Sequence, residues 1–119
     1  MSIFQFSIGG VEEIAVRLAG NSVTTIVDGT DNAWYVPWVQ ANENNGSTPS
    51  LTLDLYNGTT AYYLGTGGSV WRAKAMTAGQ SLVFNDGIFV PKGWKLRATS
   101  NDAAGRVDFV GVATKRQTT

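Results

Sequence analysis

The acidic side chains are the main candidates for chemistry in this sequence, because the chain contains neither histidine nor cysteine. That composition excludes Ser-His-Asp and Cys-His nucleophilic sites, the usual ligands of zinc and any disulfide framework. Hydrolysis of a glycosidic bond remains conceivable, and it needs two carboxyl groups held a few ångströms apart. The acids considered for such a pair are Glu12, Glu13, Asp54, Asp86, Asp102 and Asp108.

The spacing of these acids does not favour a catalytic pair. Asp86 and Asp102 lie in turn-like sequence, where an aspartate side chain commonly bonds the nearby backbone. Asp54 alternates with leucines, so we expect it to face away from the core on its strand. We therefore predict that the protein is not an enzyme, with no catalytic residues, no metal site and no cofactor.

Charge and glycine content indicate no nucleic-acid or nucleotide partner. Nine basic residues balance nine acidic ones, and only Lys115-Arg116 places two cations together. The glycine-rich stretch GTGGS at 65–69 lacks the Lys-Ser/Thr pair and the helix that would complete a phosphate site. The first ten residues, MSIFQFSIGG, lack the positive start of an export signal, and no apolar run reaches membrane-spanning length. We expect a soluble protein that is made without export and has no membrane partner.

The spacing of apolar residues and turns along the chain predicts short β-strands, which must position these residues. Residues 81–100 read SLVFNDGIFVPKGWKLRATS, in which apolar and polar residues alternate. Asn85-Asp86-Gly87 allows a tight reversal, and Pro91, which lacks an N–H, ends the second run. The segment 11–19 fits either a helix or a strand, and the β-branched run that follows favours the strand. The other predicted strands are 23–27, 33–41, 51–56, 61–64, 70–76 and 107–113.

This pattern predicts an all-β fold, a jelly-roll-like β-sandwich formed as one domain by residues 11–119. Residues 1–10 are predicted to form an arm in which Phe4 and Phe6 alternate with polar residues. The arm could add a strand to a neighbouring molecule or be a mobile terminus.

Several strands offer apolar residues to both faces, although a two-layer sandwich buries only one face of each sheet. We predict Trp34 and Trp38 on one face of their strand and Tyr35 on the other, with both faces buried. Such a second apolar face must be covered by a loop, a neighbouring subunit or a ligand. The candidate subunit contacts are Phe4, Phe6, Tyr35, Val110 and Val112.

Three aromatic residues that flank the glycine-rich stretch form a second candidate surface: Tyr62, Tyr63 and Trp71. Core packing and subunit contact are the ordinary explanations of such residues. An exposed set could instead stack on sugar rings. This surface is the basis of an alternative function, a carbohydrate-binding module of a receptor-binding tip.

The order of the motifs resembles that of small all-β virion structural proteins of tailed bacteriophages. The resemblance covers residues 16–113 and is carried by turn signatures between strands. It implies a structural part of the particle, most simply a capsid decoration protein, with no catalytic residues to carry over. A neck or tail component is the alternative in the same class. The implied partners are other copies of the chain, with a trimer favoured, and the major capsid protein, so the expected location is the virion. The matching segments are VRLAGNSVTTIVDG at 16–29, AN at 41–42, LTLDLYNGTTAYYL at 51–64, MTAGQSLVFNDGIFVPKGWKLRATS at 76–100 and VDFVGVA at 107–113.

Overall fold

Ten β-strands organise the residues described by the computed structural model, which are 10–65, 71–101 and 106–116. Within this part of the chain, no helix is long and apolar enough to cross a membrane. The strands are β1 (Val11–Ala19), β2 (Thr24–Asp28), β3 (Trp34–Glu43), β4 (Ser50–Tyr56), β5 (Ala61–Tyr63), β6 (Lys74–Ala75), β7 (Ser81–Phe84), β8 (Ile88–Val90), β9 (Lys95–Ser100) and β10 (Arg106–Lys115).

The strands form two antiparallel sheets, and the chain crosses between them several times. The first sheet has the order β1-β10-β3-β7, with β8 also paired to β3. The second has the order β2-β9-β4-β5, with β6 also paired to β4. This is the arrangement of a jelly roll, in which two Greek keys interleave their strands between two layers. The prediction of a jelly-roll-like β-sandwich is confirmed.

Strand β1 shows how pairing resolves an ambiguous sequence. Val11–Ala19 fits a helical stripe as well as a strand, but all nine of its residues pair with β10, from Val11 opposite Thr114 to Ala19 opposite Arg106. The backbone hydrogen bonds of this long ladder replace those that a helix would make internally. The predicted strand is therefore correct.

The core lies between the two sheets and follows the alternation of each strand. In β10, Val107 and Phe109 are fully buried, and in β4 Leu51 and Leu53 face them from the second sheet within the same apolar cluster. Burying one such leucine or phenylalanine contributes about 1.5–3 kcal/mol. The largest fully buried apolar side chains are Leu18, Val36, Val39, Leu51, Leu53, Met76, Val90, Leu96, Val107 and Phe109.

The predicted strand at 70–76 is largely wrong. Only Lys74 and Ala75 form a strand, β6, and Val70 lies outside the described residues. Ala73 has φ 54°, a left-handed conformation that interrupts a strand, and its N–H donates to Thr52 Oγ1 at 3.1 Å. The segment after the glycine-rich stretch therefore approaches β4 through individual contacts before it joins the sheet.

Candidate interaction surface

The outer face of the first sheet exposes six large apolar side chains, each between 37% and 52% accessible. The strand register places all of them on this face. Five of them are opposite or diagonal to another across a neighbouring strand, and Val11 is joined to Tyr35 through Thr114, which pairs with both. We call this set the apolar patch: Val11, Tyr35, Trp38, Val83, Phe89 and Val110.

One row of the patch crosses four strands. Val11 pairs with Thr114, Thr114 pairs with Tyr35, and Tyr35 pairs with Phe89. With strands about 4.8 Å apart, the row is about 15 Å wide. From the exposed fractions, the patch presents roughly 400–500 Å² of surface, taking about 150–250 Å² for a whole aromatic side chain. Contiguous apolar patches of this size on soluble proteins are often functional.

A β-bulge in β3 determines which of its aromatic residues are exposed. The register with β10 shifts between Val112 and Thr114, which pair with Trp38 and Tyr35. Before the bulge the even-numbered residues face inward, among them Trp34, which is 9% exposed. Beyond the bulge the odd-numbered residues face inward instead. Trp38 is 37% exposed on the outer face, so the prediction that Trp34 and Trp38 share one face and that both faces are buried is wrong.

Two glycines allow the aromatic residues of the patch to lie where they do. Gly111 in β10 pairs with Val39, close to the bulge, and an added Cβ there would be 2.7 Å from the Trp38 carbonyl oxygen. Gly87 has φ +83° and lies under the Tyr35 hydroxyl, where any Cβ would clash. The close approach of β3 and β10 and the position of the Tyr35 ring both depend on the missing side chains.

The opposite end of the same face is polar and internally satisfied. Arg17 on β1 donates from Nε and Nη2 to the Asp108 carboxylate at 2.6 and 2.9 Å, and Asn44 also donates to it. The hydrogen bonds from Arg17 hold the pKa of the Asp108 carboxyl below its ordinary value, and the same contact raises the pKa of Arg17. Because Asp108 is already ion-paired, it is not a free acid for catalysis.

The predicted subunit contacts are only partly described. Tyr35 and Val110 belong to the apolar patch, and Val112 is half-buried on the same face, opposite Trp38. Phe4 and Phe6 lie outside the described residues. The role of all five as subunit contacts stays a prediction.

The predicted aromatic surface of Tyr62, Tyr63 and Trp71 does not form, because the three side chains lie in different environments. Trp71 is only 3% exposed and packs edge-on against Phe84 in the core, with ring centroids 5.9 Å apart, so its predicted exposure is wrong. Tyr62 and Tyr63 are exposed but, as consecutive strand residues, point to opposite faces. Tyr62 stacks on Trp94 at 5.6 Å.

The outer face of the second sheet covers its tyrosines with cations. Arg72 lies 4.3 Å from the Tyr63 ring centre, and Arg97 lies 3.8 Å from that of Tyr56. Arg97 also donates to Asp54 at 3.0 and 3.3 Å, which explains how an outward-facing acid can be 4% exposed. The prediction that Asp54 faces away from the core is correct, and its partner in the structure is a base.

Glu43 is a buried acid that sequence reasoning missed. The residue is 3% exposed, and its carboxylate accepts hydrogen bonds from the N–H groups of Gly79 and Asn45 at 2.8 Å and of Gly46 and Ser47 at 3.1 Å. These donors, the Gly79 N–H first, lower its pKa to about 2. The residue joins the loop after β3 to the loop before β7, and its only local signal is its position before a polar, glycine-containing loop.

The geometry offers no evident catalytic or metal centre among the described residues. No group of three or more potential metal-binding acids occurs in that part of the chain. Glu43, Asp54 and Asp108 each accept hydrogen bonds from fixed partners. The surface that stands out chemically is therefore the apolar patch.

Comparison with known proteins identifies the fold and no family. The sequence matches no protein-family model and no curated protein at a significant level. A solved structure of Bacillus endospore appendages, described as disulfide-linked pili, aligns with 90% of this chain and 88% of its own, at 14% identity and a TM-score of 0.50. A pentameric capsid protein from metagenomic phage sequences aligns over 92% of this chain and 62% of its own, at 23% identity and a TM-score of 0.51.

A weaker likeness concerns carbohydrate binding. The N-terminal modules of Clostridium thermocellum xylanase 10B, solved with xylohexaose, align over 90% of this chain and 25% of theirs. The identity is 14% and the TM-score 0.45, which is too low to carry an argument about sugars. The two stronger likenesses show the fold alone.

Proposed function

We propose that this protein is a non-enzymatic structural component of a tailed-phage virion, most simply a capsid decoration protein that assembles through its apolar patch. The single observation that carries the proposal is the gathering of six exposed apolar side chains on one sheet face. An enzyme or a small-molecule carrier would place its specialised residues around a cavity, whereas a flat apolar face suits contact with another protein.

Three further observations support this proposal. The jelly-roll fold is shared with a pentameric phage capsid protein and with pilus subunits, which are both proteins of large assemblies. The order of the sequence motifs resembles that of tailed-phage virion proteins. The zero formal net charge leaves little long-range repulsion between copies.

The size of the patch indicates how attachment would work. A stable protein interface buries about 800 Å² on each partner, and the patch supplies roughly half of that as apolar surface. A single contact of this kind is modest, but many copies on one particle hold one another in place, so the effective affinity rises steeply. We expect a homo-oligomer, with a trimer as the first assignment, in contact with the major capsid protein.

A neck or tail component of the virion would use the same surface, and copy number in purified particles separates it from a decoration protein. The three aromatic residues on which the carbohydrate-binding alternative was predicted do not form a shared exposed surface. Trp71 lies in the core, and a cation covers the Tyr63 ring. A glycan array probed with the wild-type protein tests that alternative, and binding there would contradict our proposal.

Co-sedimentation with particles of the phage that encodes the protein, purified without it, tests the proposal directly. We expect saturable binding of the wild-type protein, reduced at least tenfold by Phe89→Glu, because a buried charge at a 52% exposed patch position opposes contact. Thr25→Glu places the same charge on an exposed position of the second sheet and serves as the matched control. Wild-type protein that never binds particles would refute the virion assignment.

A further inference from the structure

We propose that residues 1–9 of one copy bind the apolar patch of a neighbouring copy. This inference depends on the proposed function, because it names the partner of the surface through which the protein assembles. It assigns the apolar patch to a specific occupant, a segment of the same chain that precedes the described residues.

The composition of the segment matches the surface. Residues 1–9 read MSIFQFSIG and carry no charged side chain. Phe4, Phe6 and Ile8 occupy every second position, so an extended segment would present all three on one side. The widest row of the patch, from Val11 to Phe89, is likewise free of charged residues. Contact along this row would bury no charged side chain. Glu13 lies on the same face in the next row, opposite Val112, and marks the edge of the uncharged part of the patch on β1.

The segment also joins the sheet at the correct end. It leads through Gly10 into Val11, which is the first residue of β1 and itself a member of the patch. The backbone at Gly10 lies beside the end of β10, since an added Cβ there would be 3.7 Å from the Lys115 carbonyl oxygen. Nine extended residues span about 30 Å, twice the width of the row, so the length suffices to cross a whole patch.

Chain direction favours a neighbour over the segment's own molecule. Strand β1 runs from the apolar end of the face, at Val11, toward the polar end, at Arg17 and Asp108. Followed backwards from Val11, a continuing chain leaves the sheet at its apolar end. Residues 1–9 would therefore have to turn back to cover the patch of their own molecule, whereas a neighbouring copy placed beyond this end of the sheet would be reached without that turn.

The absence of native cysteine makes the proposal testable by disulfide trapping. Two single-cysteine variants, Ile8→Cys on the side of the segment that carries Phe4 and Phe6, and Thr114→Cys in the middle of the row, are purified separately, mixed and oxidised. We expect a disulfide-linked dimer that joins positions 8 and 114, identified by mass spectrometry of its peptides. The control replaces Thr114→Cys by Thr25→Cys, on the second sheet, and should give no 8–25 dimer above background.

Two results of this cross-linking experiment would overturn the inference. One is a mixture that forms no 8–114 disulfide, or no more than the 8–25 control. The other is an Ile8→Cys/Thr114→Cys double variant that closes its disulfide within one chain while the mixed variants fail to cross-link, because the segment would then cover its own patch.

Deletion of residues 1–9 provides a second readout. We expect a folded protein, with an unchanged circular dichroism spectrum, whose self-association measured by sedimentation and whose particle occupancy fall at least tenfold. If the deletion variant self-associates and binds particles like the wild type while Phe89→Glu does not, the inference is wrong and the proposed function stands. If the wild type itself does not bind particles, the proposed function fails.

Discussion

Replacement of Trp71 and Trp38 by alanine gives the sharpest test of this structure, because the two tryptophans exchange the roles that local sequence predicts for them. Trp71 is 3% exposed and belongs to the core cluster, where it packs edge-on against Phe84. Trp38 is 37% exposed on the outer face of the first sheet. Both substitutions remove the same atoms, so any difference in their effect reports the surroundings alone.

The expected magnitudes follow from these surroundings. Trp71→Ala leaves a closed cavity, so we expect a loss of about 3–5 kcal/mol in the free energy of unfolding. For a domain of about 100 residues this lowers Tm by about 4 °C per kcal/mol, or about 12–20 °C in all. Trp38→Ala opens onto solvent and forfeits only the covered part of one side chain, so about 1–2 kcal/mol is expected.

Urea unfolding followed by far-ultraviolet circular dichroism measures both losses without depending on tryptophan emission. The two variants should unfold with the wild-type m-value, which shows that the denatured state is unchanged. Measurements at two protein concentrations, tenfold apart, separate a loss of folding from a loss of subunit contact. Equal costs for the two substitutions, or a larger cost for Trp38→Ala, would refute the reasoning.

Three further predictions concern the backbone, a buried acid and an ion pair. Gly111→Ala should cost about 1–3 kcal/mol in urea unfolding, because the new Cβ would be 2.7 Å from the Trp38 carbonyl oxygen and the strands must shift. Glu43→Gln should speed hydrogen exchange in the two loops that Glu43 joins. Because the pKa of Glu43, about 2, lies below the ordinary 4.5, the stabilisation by its carboxylate is complete above about pH 4.5 and is lost as the pH falls through 2. The variant should lack that acid-dependent loss of stability. A double-mutant cycle of Asp54→Asn and Arg97→Gln should give a coupling of about 0.5–3 kcal/mol, and additive losses would show that the pair contributes nothing.

The strands and tight turns could be predicted from sequence because their causes are local. Alternation of apolar and polar residues identifies β9 and β10, and Asn57-Gly58 marks the β4–β5 hairpin by its own chemistry. Asn57 Oδ1 accepts from the N–H groups of Thr59 and Thr60 at 2.8 and 2.7 Å, and Gly58 adopts φ +100°. Each of these features depends on residues a few positions apart, so it can be predicted without any knowledge of the fold.

The candidate surface, in contrast, was decided by contacts between distant parts of the chain. Alternation places Trp34 and Trp38 on one face, but the bulge that separates them exists only because β3 pairs with β10 in a shifted register. Trp71 is buried because its backbone is hydrogen-bonded to earlier parts of the chain. Its carbonyl oxygen accepts from the N–H of Leu53, eighteen positions earlier, and its own N–H donates to the carbonyl of Leu64. Asp54 is tolerated in a covered position because the sheet brings Arg97 opposite it. A sequence shows which side chains are apolar or charged, but which of them water reaches depends on pairings that loop closure and register select across the whole fold.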